Sequence, residues 1–265
     1  MNDTNSHSSS LQLLRLLGEG GHRLFTPENA RELLPQASTG YVNQLLHSLV
    51  KLGWLIRVRR GLYALSPTVF QGAPLHELEL AMVLARPAAI SHWSALSVHG
   101  LTEQVPQEVV VLTTDQANPT RSRSGDLLSL CGFRFRFCRV KPEFFFGVET
   151  HWRGDVAIEV TDPERTLLDG LLRPQLCGDF GVVLEAFERH RGRLRKDRII
   201  DYARRLGVTC VKRLGWMLEQ IGSPAPELEN DPIRGYRPLD PTGPRLGRCN
   251  SRWNMIENLP GLSRP

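Results

Sequence analysis

No stretch of this 265-residue chain approaches the ~20 apolar residues needed to cross a bilayer, so no membrane partner is expected. Met1–Ser10 is polar and Ser-rich without an apolar centre, which excludes a secretory signal and reads as a short disordered lead. Cysteine is sparse: five residues, odd in number, widely spaced and never in a C-x-x-C pair. That pattern excludes a disulfide scaffold or a structural zinc ribbon and suits a reduced, cytoplasmic protein. The catalytic signatures are missing too, with no phosphate-binding loop, no G-x-G-x-x-G after a strand, no G-x-S-x-G and no H-E-x-x-H. Asp155 and Glu159 lie on an acidic strand of the kind found in restriction-type nucleases. The position two residues on, where that chemistry wants a lysine, is Thr161. His92 and His99 share a helical face, but no further ligand stands at a suitable spacing. The expectation is a binding protein: not an enzyme, with no cofactor and no metal.

What the sequence does have begins at Ser38. Val42, Leu45, Leu46 and Leu49 follow the i, i+3, i+4, i+7 spacing of one helical stripe. Ser38 or Thr39 stands at the N-cap position and Gly53 at the stop. The opposite face carries Tyr41, Asn43, Gln44, His47 and Lys51, side chains long and polar enough to reach base edges in a major groove. Two strands follow, 54–59 and 62–65, joined at Arg60-Gly61, with Arg57, Arg59 and Arg60 grouped near the turn. Upstream, Thr26-Pro27-Glu28 opens a helix with cap, proline at N1 and acid in the first turn. Residues 11–70 therefore predict a winged helix-turn-helix whose DNA-binding surface is Ser38, Thr39, Tyr41, Asn43, Gln44, His47, Lys51, Arg57, Arg59 and Arg60.

Residues 71–222 predict a mixed α/β domain, so the fold class is α+β: a winged helix-turn-helix, then a small sheet and a helical bundle. Helices are expected over 75–85 and 90–101, with Ser91 as N-cap of the second and Trp93 as an aromatic anchor between domains. Strands are expected over 108–114, 133–137, 144–152 and 156–160. Segment 115–125 reads as a mobile loop, and strict alternation in Phe133–Phe137 turns three rings inward. Asp162-Pro163 opens a helix in which Arg165 and Asp169 stand i, i+4 apart, a pair worth a few tenths of a kcal/mol on a helix surface. Further helices are expected over 180–190, 196–206 and 208–221. Residues 223–265 read as a Pro- and Gly-rich tail ending in a strand, with Trp253 and Met255 pointing inward. From Arg189 to Arg213 ten Lys or Arg face two acids. Arg191, Arg193, Arg195, Lys196, Arg198, Arg204 and Arg205 are thus a candidate nucleic-acid or partner surface, against the plainer reading of a solvated helical face.

Three segments together, RRGLYAL at 59–65, ISHWSALSVHGLTEQ at 90–104 and VTDPERTLLDGL at 160–171, resemble the AbiEi antitoxins of type IV toxin–antitoxin systems. The segment LDPTGPRLGRCNSRWNMIENLP is of the same kind, and the likeness extends over about residues 10–260. It implies a bacterial antitoxin that binds inverted repeats in its own promoter, double-stranded DNA, and represses its operon. It also implies that the C-terminal domain counteracts a nucleotidyltransferase-like toxin without a stable complex. The alternative is a stand-alone winged-helix regulator whose second domain binds a ligand or partner.

Overall fold

The protein is described by a computed structural model covering residues 3–66, 75–115 and 127–259, with side chains from Ser9 onward. Helix α1 (Asp3–Glu19) buries Leu13, Leu14 and Leu17. It starts at Asp3, so residues 3–10 of the lead expected to be disordered are helical. Once the leucines hold the nucleated helix, each further residue adds a hydrogen bond at little extra cost. Strand β1 (Leu24–Phe25) follows, two residues that give no sequence signal. Helix α2 (Pro27–Leu33) opens with a capping box in which Thr26 and Asn29 satisfy each other's amides. Helix α3 (Thr39–Lys51) is capped by Ser38, whose Oγ accepts from Tyr41 N at 3.3 Å, and it buries Val42, Leu45, Leu46 and Leu49. Gly53, at φ +75°, turns the chain into β2 (Leu55–Arg59) and β3 (Leu62–Leu65), and the sheet runs β1-β3-β2. This is a winged helix-turn-helix.

Its hairpin packs on both sides. Leu55, Tyr63 and Leu65 pack with the helices, while Val58, Leu62 and Ala64 join the core of the second unit. Residues 11–70 are therefore not self-contained as expected; isolated, they would leave that second apolar face open.

Helix α4 (Glu77–Leu84) lies on a six-stranded sheet of order β6-β7-β5-β4-β9-β8. The strands are β4 (Ala88–Ile90), β5 (Val109–Thr113), β6 (Leu127–Leu130), β7 (Phe133–Arg139), β8 (Val148–Arg153) and β9 (Val156–Thr161). The sheet is mixed, with β5/β7 and β4/β9 parallel and the remaining pairs antiparallel. Central β5 is buried along its whole length: Val109 and Val111 face the α4 side, Val110 and Leu112 the other. Phe135 and Phe137 are buried as expected, but Phe133, near the sheet's end, is only half-buried. Of the loop predicted over 115–125, residues 116–125 lie outside the described residues.

Helix α5 (His92–Val98) begins two residues later than predicted, because Ile90 belongs to β4. Ser91 stands at its N-cap without capping it; its hydroxyl meets His92 Nδ1 at 2.9 Å instead. Trp93 packs at Gly178 and so anchors within the second unit, not between the two. Helices α6 (Pro163–Leu172), α7 (Phe180–His190), α8 (Lys196–Leu206) and α9 (Val208–Gln220) form the predicted bundle.

The stretch from 223 onward is not a tail. Strands β10 (Arg237–Pro238), β11 (Arg248–Asn250) and β12 (Met255–Glu257) form a small sheet, and Leu228, Leu239, Trp253 and Met255 fill the bundle core. The Trp253 ring lies against Gly215 of α9, where any Cβ would overlap it. Buried Lys212 donates to the carbonyls of Leu228 (3.1 Å) and Glu229 (2.7 Å). Buried Arg213 donates to those of Leu171 and Pro238, both at 3.1 Å. The sequence hides this because prolines and glycines dominate the segment while its few apolar residues are far apart. Trp253→Ala is expected to cost about 3–5 kcal/mol in urea unfolding, and removal of residues 223–265 to abolish the cooperative transition. An unchanged midpoint in either would make the segment an appendage after all.

Candidate nucleic-acid interface

Helix α3 turns four apolar residues inward, which leaves its other face to solvent. Ser38, Thr39, Asn43, Gln44, His47 and Lys51 are exposed, and Tyr41 is half-buried against the winged-helix core. Arg57, Arg59 and Arg60 are exposed as well. Arg57 stands opposite Tyr63 on the face turned towards the helices, and a register shift between Arg57 and Arg59 bends the strand before the turn. Gly61, at φ +75°, closes that turn. No carboxylate among the described residues pairs with Lys51, Arg57, Arg59 or Arg60. Packing of Val58 and Leu62 on the second unit leaves the tip in solvent while fixing the strands beneath it. Nine of the ten residues selected from the sequence are exposed, and Tyr41 is half-buried. Arg23, another cation of this domain, is turned away to Glu79 at 3.5 Å.

The second basic stretch is arranged differently. Arg195 contacts Glu164 (3.4 Å), Arg198 contacts Asp162 (3.4 Å), Arg204 contacts Asp231 (3.6 Å) and Arg191 contacts Glu188 (3.9 Å). Arg205 stacks over the Phe146 ring at 3.6 Å, and Lys196 donates to Pro224 O. Arg193 is exposed, while Lys212 and Arg213 are buried. Most of the local positive charge in the sequence is therefore engaged within the fold. Arg134 and Arg136 on β7 are likewise engaged, by Gln107 and Glu108. Asp155 and Glu159 gather no third acid or histidine among the described residues; Glu159 accepts from Thr150 Oγ1 at 2.8 Å.

A buried polar seam runs where α5 meets α6. Asp162 caps α6 by accepting from Arg165 N at 2.8 Å, and it also accepts from Tyr202 at 3.0 Å. Burial nevertheless lifts its carboxyl above the usual range. Burial acts in the same direction on Glu164, but there the donors win: His190 and Arg195 hold it down to about 2. Arg165 and Asp169 do pair, at 2.9 Å, yet both are almost fully buried. Loss of one partner would strand a charge in the core, costing about 3–5 kcal/mol where a surface pair costs tenths. Beside them a cavity of about 180 Å³ is lined by His92, Phe144, Arg165, Asp169 and Arg173.

His92 is 1% exposed at φ +50°, and burial, partly opposed by Asp169, drives its imidazole down to about 4. Between its ordinary value near 6.5 and that value, the unfolded chain takes up a proton that the folded chain refuses. Stability is therefore fully present above that window and falls, by about 3 kcal/mol in all, as pH drops through it. His92→Asn, which tolerates the left-handed backbone, is expected to flatten urea midpoints across the same window. A variant with the native pH slope would acquit His92.

Sequence spacing puts no further ligand-type residue near His99, whereas the fold does. Strand β8 brings Glu149 and His151 beside it. The link was hidden because the residues lie some fifty positions apart and meet only through sheet pairing.

No family model matches the chain, and no curated protein does. Among solved structures it is similar to the crystal structure of RV2827C protein from Mycobacterium tuberculosis. The TM-score is 0.67 at 13% identity, over 94% of this chain and 91% of that one, a likeness of fold along nearly the whole length.

Proposed function

We propose that this protein is a DNA-binding autorepressor and antitoxin. Its winged helix would grip inverted repeats in its own promoter, and its second unit would counteract a nucleotidyltransferase-like toxin without a lasting complex. The carrying observation is the exposed polar face of α3 together with an exposed arginine tip that no carboxylate among the described residues pairs. A helix of this kind fits the major groove while the wing meets the adjacent phosphates. The fixed hairpin supports the reading, since a pre-set wing loses little freedom on binding. The antitoxin half rests on the resemblance of segments 59–65, 90–104 and 160–171 to the AbiEi group. The two halves of that resemblance coincide with structural joints: the first is the wing itself, and the others meet at the buried seam.

The full-length protein is the proper test object, because the isolated winged helix would expose Val58, Leu62 and Ala64. Arg59→Ala combined with Arg60→Ala is expected to weaken promoter binding by roughly 1–3 kcal/mol for each strong hydrogen bond to DNA that the pair supplies. The slope of log affinity against log salt should shrink by about one unit for each phosphate no longer neutralised. Both are read by fluorescence anisotropy on the native promoter. In cells the same variant should lose repression yet still rescue growth from the toxin. Unaltered affinity and salt slope would remove the wing from the mechanism, and failure of the native chain to rescue would remove the antitoxin role.

A further inference from the structure

We infer that His99, Glu149 and His151 form a binding site for a divalent first-row transition metal, zinc foremost, independent of the DNA-binding surface. One ligand atom from each lies within 4.8 Å of the other two. A zinc tetrahedron with ~2.0 Å bonds places its ligands roughly 3.3 Å apart, so modest side-chain rotation closes the shell.

His99 is already oriented for the task. Its Nε2 lies 2.7 Å from the carbonyl oxygen of Thr161. A carbonyl only accepts, so Nε2 carries the hydrogen and Nδ1 keeps its lone pair. Nδ1 faces Glu149 Oε1 at 4.0 Å, too long for a hydrogen bond. A backbone carbonyl holding the far nitrogen of an imidazole is the usual outer support of a metal-bound histidine.

Glu149 and His151 stand i, i+2 on β8 and so project from the same face of that edge strand. His151 Nε2 is 2.9 Å from Glu149 Oε1, and the His99 and His151 rings are 5.4 Å apart, edge to face. Both residues are 39% exposed, which gives an ion a way in. Two imidazoles and one carboxylate select zinc and its neighbours over the hard, oxygen-seeking magnesium and calcium. Three protein ligands leave a fourth position for water, unlike a closed structural site. A bound ion would tie the sheet edge to the C-terminal end of α5, where His99 is the capping residue.

The test is calorimetric titration of the chelator-stripped full-length protein with Zn²⁺ alone, compared with His151→Ala, Glu149→Gln and a distant control, His47→Ala. The expected result is one saturable site in the native chain and in the control, weakened at least tenfold in both β8 variants, with Mg²⁺ giving no heat. Zn²⁺ should also raise the Tm of the native chain and leave that of His151→Ala unmoved. Because Glu149 and His151 are half-exposed, both variants should match the native Tm without metal; a variant that does not is read against the other. Absence of a saturable site, or equal affinity in native chain and β8 variants, overturns the assignment.

Discussion

A hairpin packed on both sides joins the two halves of this molecule. Antiparallel pairing sets Ile56 opposite Ala64 and Leu55 opposite Leu65, so the two sides of the ribbon are assigned to two cores. Leu55, Tyr63 and Leu65 complete the helix-turn-helix, while Val58, Leu62 and Ala64 complete the sheet unit. Each core needs the same four-residue strand. An isolated two-stranded ribbon is marginal in water, and here it is held from both sides. Arg57, Arg59 and Arg60, towards its turn, are left to solvent.

The second constraint is charge inside the sheet-and-bundle unit. Asp162 caps α6 and Glu164, Arg165 and Asp169 lie along it, all buried; Tyr202 of α8 donates to Asp162, Arg195 N donates to Glu164, and Arg165 donates to the carbonyl of Phe144. Apolar packing alone would let α6 slide; directed bonds permit one placement. Such networks add specificity more dependably than stability. They also explain why the basic stretch of 189–213 is not a bare patch, since several of its cations are the partners of these acids.

Short-range signals were legible in the sequence. Caps at Thr26, Ser38 and Asp162 marked helix starts, and the apolar stripes of α3 and α9 named their own core positions. The exposed polar residues of α3 were legible for the same reason, because a helix with one buried stripe leaves its complement outside. Long-range pairing was not. Strand β4 is three residues and looked like the start of α5; β1 is two. The role of residues 223–259 depended on Trp253 finding Gly215, and that of Glu149 and His151 on β8 pairing with β9. Burial of Arg165 was equally invisible, since i, i+4 spacing says that two residues meet but not how dry the meeting place is.

The seating of Trp253 on Gly215 has a consequence for biosynthesis. The bundle core contains a ring that the ribosome adds about forty residues after the helix receiving it, so α9 must wait, its groove open, until translation has passed Met255. The helix-turn-helix core is complete far earlier, when Leu65 has emerged. The nascent chain therefore carries a nearly complete helix-turn-helix core ahead of a bundle that closes late.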